Sequence, residues 1–167
     1  MTDDAQPTFI GLGGLRLGLR VGLLVVLLDQ ISKWWILANV TAGAPVPLAP
    51  FFNLVLTGNR GVSFGMFSNE HAVMPYILVT LSLAISAFLL VWMHRAKRPL
   101  VVAALGLVVG GAVGNVIDRL RFGAVVDFLD FHAFGWHWPA FNVADAGITV
   151  GVLLILVDGL VTRKEQR

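Results

Sequence analysis

The chain has 167 residues, 57% of them hydrophobic and 13% charged, with no Cys and a mean hydropathy of +0.81. A water-soluble domain carries about a quarter charged residues, so this composition excludes one and points to an integral membrane protein. The lack of Cys excludes disulfides, thiolate metal sites and cysteine nucleophiles, and a formal charge of +2 gathered in short basic clusters leaves no footprint for nucleic acid.

The expected organisation is a single membrane domain over residues 1–167, beginning with a tail, 1–14, to which no function is assigned. A first span, about 16–38, follows Arg16 and Arg20 and is interrupted by Asp29 and Lys33. The small residues Ala42-Gly43-Ala44 after it resemble a signal-peptide cleavage site, but an Asp/Lys pair inside the apolar stretch is foreign to a signal peptide. The next segment, 39–71, is expected to face outward. Its run Phe51 to Thr57 is rich in strand formers and bounded by Pro45, Pro47, Pro50, Gly58 and Gly61, which predicts a small extracytoplasmic β-sheet between the first and second helices. The second span, about 72–93, and the third, about 99–118, are apolar runs long enough to cross a bilayer.

A second outward segment, 119–143, carries Phe128, Phe131, Phe134, Trp136 and Trp138, a composition suited to the membrane–water boundary. The fourth span, about 144–162, holds one internal charge, Asp158, which reads as interfacial. The fold class is therefore integral membrane and mainly α, with four transmembrane helices and one small sheet. Arg16, Arg20, Arg95, Lys97, Arg98, Arg163, Lys164 and Arg167 all fall on one side. The positive-inside rule makes that side cytoplasmic, with both termini inside.

Ionisable groups at membrane depth are costly and become functional candidates by default. Asp29 and Lys33, four apart on one helix face, read as a self-neutralising pair that holds other groups in place. Asn115 and Arg119 have the same spacing at the outer end of span three, and Asp127, Asp130, Asn142 and Asp145 flank the start of span four. Asp118 is assigned to another face, as a solvated helix-end charge. Gly106, Gly110 and Gly114 form a stripe for close helix packing.

Two neighbouring carboxylates in a low-dielectric site share one proton and can hydrolyse a peptide bond without metal or cofactor. Asp127 and Asp145 suit those roles if the outward segment folds back onto span four. A proton-coupled carrier using Asp29, Asp127 and Asp145 as a relay stands beside that reading on the residues alone. Gly61-Val62-Ser63-Phe64-Gly65 matches G-x-S-x-G, but the chain has no room for the α/β elbow that motif needs. His71, His94, His132 and His137 lack zinc-ligand spacing, so no metal site is expected.

Five blocks then carry a family resemblance: Asp29-Gln30-Ile31-Ser32-Lys33, Asn59-Arg60-Gly61-Val62-Ser63-Phe64-Gly65, Gly111 to Arg119, Val125-Val126-Asp127-Phe128 and Phe141-Asn142-Val143-Ala144-Asp145. In this order they resemble the signature blocks of the bacterial lipoprotein signal peptidase family, signal peptidase II, over about Gly18 to Thr162. The resemblance implies an aspartyl endopeptidase of the bacterial inner membrane that removes the signal peptide just before a diacylglyceryl-cysteine. By residue, it implies Asp127 and Asp145 as the catalytic pair, Asn115, Arg119 and Asn142 as supports that orient substrate, and Asp29, Lys33, Asn59 and Gly61 as structural or substrate-contacting. Asp130 is outside the family motif. The implied partners are prolipoprotein substrates and membrane lipid, with no cofactor and no obligate protein partner.

Overall fold

The computed structural model describes residues 12–61 and 73–165. Four long apolar helices dominate it: α1 (Leu12–Asn39), α2 (Met74–Arg95), α3 (Pro99–Phe122) and α4 (Val143–Glu165). Each contains a stretch long and apolar enough to cross a membrane. Helix α3 is the hub, packing on α1, α2 and α4, and most of its apolar window is buried, whereas the other three turn Leu, Ile, Val and Phe side chains outward. An outward apolar surface on a helical bundle is what a lipid solvent permits.

The glycine stripe explains how α3 reaches that central place. A Cβ on Gly106 would strike the Gly18 carbonyl, and one on Gly110 the Gly22 carbonyl, so α1 and α3 run backbone to backbone. On the adjoining face, Gly111 lies against the Ala144 carbonyl at the start of α4. The helix ends follow local chemistry. Arg98, which precedes Pro99, is extended, and Pro99 opens α3. Gly123 closes α3 in the left-handed conformation (φ 69°), its N–H donating to the Arg119 carbonyl.

Helix α3 therefore runs to Phe122, four residues beyond the expected end at 118. At the other end of the bundle, α1 begins at Leu12, inside the tail assigned to 1–14.

Between α1 and α2 lie β1 (Val46–Ala49) and β2 (Phe52–Asn59), and between α3 and α4 lie β3 (Val125–Ala133) and β4 (Trp136–His137). They form one antiparallel sheet in the order β1-β2-β3-β4. The strand run expected between the first two helices forms β2, and the second outward segment, whose aromatic residues suit the membrane–water boundary, joins the same sheet. Strand β3 supplies half of the central pairing. Its first four residues are buried, so both faces meet protein and the apolar/polar alternation that marks a strand is lost. Ile36 and Val40 at the end of α1 pack with Phe128, Leu54 and Leu56, fastening the sheet to the end of the bundle. A register shift between Leu54 and Thr57 sets Thr57 opposite Asp127.

Candidate active site

The site forms where α1, α3, β3 and the start of α4 meet. Asn142 and Asp145 make a reciprocal cap on α4: the Asp145 N–H donates to Asn142 Oδ1 at 2.9 Å, and the Asn142 N–H to Asp145 Oδ2 at 3.3 Å. This is a capping box with Asp in the usual Glu position. It leaves the Asp145 carboxylate at the positive end of the α4 dipole, an arrangement suited to a negative charge.

Asn142 also reaches the strand. It is fully buried, and its Nδ2 donates to Asp127 Oδ1 at 2.7 Å. The Nδ2 of Asn115, on α3, donates to Asp145 Oδ1 at 2.8 Å. Asn142 and Asn115 contact each other at 3.3 Å. The two carboxylates are thus tied into one network by two amides, and a side chain from a strand meets one from a helix. Asp127 is 1% exposed. Burial pushes its carboxyl up from 3.8 to about 6; the Asn59 amide beside it opposes the rise, the charge of Asp145 adds to it, and Asn142 and Lys33 oppose it.

Behind this pair stands a buried ionic cluster. Lys33, 2% exposed, donates to Asp29 Oδ2 at 2.8 Å, to Asp118 Oδ2 at 2.7 Å and to Asn115 Oδ1 at 3.3 Å. Its three ammonium hydrogens therefore have three acceptors. The expected self-contained Asp29/Lys33 pair is instead part of a triad, since Lys33 is shared with Asp118. Asp118 is 1% exposed, which corrects its assignment as a solvated helix-end charge. Positions 115 and 118, three apart on α3, share a face, and that spacing is the sequence signal that places Asp118 beside Asn115. Gln30, not singled out from sequence, donates to Asp29 Oδ2 at 3.1 Å and to Asp118 Oδ1 at 3.0 Å.

The remaining expected residues fall around this centre. Arg119 lies in the field of Asp145, Asp127 and Asp118, contacts the Asn115 carbonyl at 3.5 Å, and has a buried Nε with no partner among the described residues. Gly61 (φ 83°) donates its N–H to Asn59 Oδ1 at 2.8 Å, and a Cβ there would strike Leu78 of α2. Its part is to shape the turn after β2. Asp130 is three residues from Asp127 on β3, hence on the opposite face, where it accepts hydrogen bonds from Asn53 and His137. Asp158 pairs with Arg98 at 2.8 Å, far along α4. The Val62–Gly65 part of the G-x-S-x-G match, His71 and the tail residues 1–11 lie outside the described residues. A groove of about 550 Å³ runs beside the sheet, lined by Thr57, Asp130, His137, Trp138 and Ala140 among others.

The fold and the site together define a class: a polytopic helical membrane protein with a buried acidic centre where a small sheet meets the bundle. The profile of the family described as signal peptidase (SPase) II matches residues 21–161. A lipoprotein signal peptidase of Methylobacterium sp. (strain 4-46) is 48% identical over 86% of this chain and 88% of its own length. That of Yersinia enterocolitica is 39% identical over 92% and 91%. A bacterial membrane enzyme solved by the in meso method at 1.9 Å resolution superposes with a TM-score of 0.78 at 29% identity, over 92% of this chain and 97% of that one. The chain belongs to the signal peptidase II family. It is accordingly a bacterial membrane protease, and the carrier reading gains no support.

Proposed function

We propose that the protein removes the signal peptide of diacylglyceryl-modified prolipoproteins, hydrolysing the bond just before the lipidated cysteine with Asp127 and Asp145 as an aspartyl dyad. The observation that carries this reading is the link between the two carboxylates through Asn142 and Asn115. The lift of the Asp127 carboxyl to about 6 supports a division of roles. Asp127 holds the shared proton and donates it in a hydrogen bond to the scissile carbonyl. Asp145, at the positive end of α4, takes a proton from the attacking water. That water adds to the carbonyl carbon, the tetrahedral intermediate collapses, and the proton gained by the dyad passes to the departing amine of the cysteine.

The substrate fits the expected topology. With both termini cytoplasmic, the helix ends bearing the dyad meet the outer headgroups. A diacylglyceryl-cysteine has its acyl chains in the outer leaflet and its peptide at that depth. The test is cleavage of a lipidated prolipoprotein by purified protein, read by gel shift, with mass spectrometry of the products. A product that starts at the lipidated cysteine is expected, and the unlipidated precursor should be a poor substrate. Cleavage elsewhere, or equal cleavage of both precursors, refutes the assignment.

A further inference from the structure

Two of the buried carboxylates outside the dyad, Asp29 and Asp118, make the same kind of contact. Asp29 Oδ1 accepts the N–H of Ala144 at 2.9 Å, and Asp118 Oδ2 accepts the N–H of Val126 at 3.1 Å. Ala144 and Val126 are the residues immediately before Asp145 and Asp127. The remaining contacts of the two carboxylates converge on one turn of α1, where Lys33 and Gln30 each bind both. We propose that Asp29 and Asp118, joined by Lys33 and Gln30, are positioning residues that set the separation of the dyad by clamping the backbone one residue ahead of each member. The inference rests on the dyad reading.

The physical case begins with the elements concerned. Asp127 stands on a strand and Asp145 on a helix, and each element could shift independently. A misplacement of about 1 Å in a reacting group costs roughly a hundredfold in rate. A clamp on the preceding amide fixes the Cα from which the reacting side chain springs. A charge-assisted bond is stronger than one to a neutral acceptor, which suits the task. Neutralising Lys33 would need only one carboxylate. Burying a second is costly unless it is paired and bonded, and Asp118 is both. On the other side, the first turn of α4 has backbone donors without helical partners; Asp29 takes the one from Ala144 and gains from the helix dipole.

The test is the kinetics of purified full-length Asp118→Ala in detergent, per folded molecule, with amide hydrogen exchange followed at residues 125–128. We expect kcat to fall about a hundredfold with KM within about twofold, because the residue acts on geometry and not on affinity. Exchange at 125–128 should be faster. Wild-type kcat per folded molecule, or a loss lying wholly in KM, overturns the proposal. If Asp118→Ala does not accumulate folded, Gln30→Leu takes its place: it breaks one bond to each carboxylate and strands no charge. It should lower kcat about tenfold, and wild-type kcat there overturns the clamp. Asp127→Asn and Asp145→Asn in the same assay separate the two readings. If both are inactive while the clamp variants are unimpaired, only the clamp is wrong; if both are fully active, the dyad itself is wrong.

Discussion

Replacing Asp127 by Asn should lower cleavage by about 10² to 10⁴ and stabilise the protein, with a pH dependence that identifies the cause. The folded-state carboxyl is raised from 3.8 to about 6, so the folded protein holds this proton more tightly than the unfolded chain. Its contribution to stability is greatest below pH 3.8, is lost as the pH rises towards 6, and stays lost above that. The difference between those two values is worth roughly 3 kcal/mol by linkage. Asn is nearly isosteric, keeps an acceptor for the Asn142 amide and does not ionise. Asp127→Asn should therefore match the wild type near pH 4 and exceed it by about 3 kcal/mol at pH 8. At about 2–4 °C per kcal/mol for a chain of this size, Tm should rise by roughly 6–12 °C. The assay is thermal unfolding in detergent from pH 4 to 8, read by tryptophan fluorescence. A variant no more stable than wild type at pH 8, or a gap that does not narrow on acidification, would refute the claim that a buried carboxyl is held ready to carry the proton.

Asp145→Asn and Asp127→Asn should each lower cleavage by about 10² to 10⁴, and the double variant should be little worse than either single one, since the two act as a unit; additive losses would argue against a dyad. Cysteines introduced one at a time should react with an external, impermeant thiol reagent near Ala133 but not at Lys97 or Lys164, and the reverse pattern would overturn the proposed orientation. Arg98→Ala strands the buried Asp158 carboxylate and should cost about 1–3 kcal/mol in thermal unfolding, while kcat at room temperature stays unchanged. Lost activity at unchanged Tm would show that this distant pair reaches the site.

Much of the architecture was legible in the sequence because a bilayer is a demanding solvent. Four long apolar runs have few other uses, and Pro99 and the glycines at 106, 110 and 114 announce a helix start and a close packing face. The capping pair Asn142 and Asp145 is readable as well, being a local motif of four residues. Three features were decided only by the tertiary structure. Strand β3 is buried on both faces where it carries Asp127, so it shows no alternation, and its partner β2 lies more than sixty residues earlier in the chain. Asp118 carries the same charge and helix-end position whether solvated or buried; only the approach of α1 with Lys33 and Gln30 makes it internal. Likewise, nothing local in Asp127 raises its carboxyl to about 6, because that shift comes from burial and from the charge of Asp145. Spacing along one helix can be read from sequence, whereas the environment of a charge depends on which other elements fold against it.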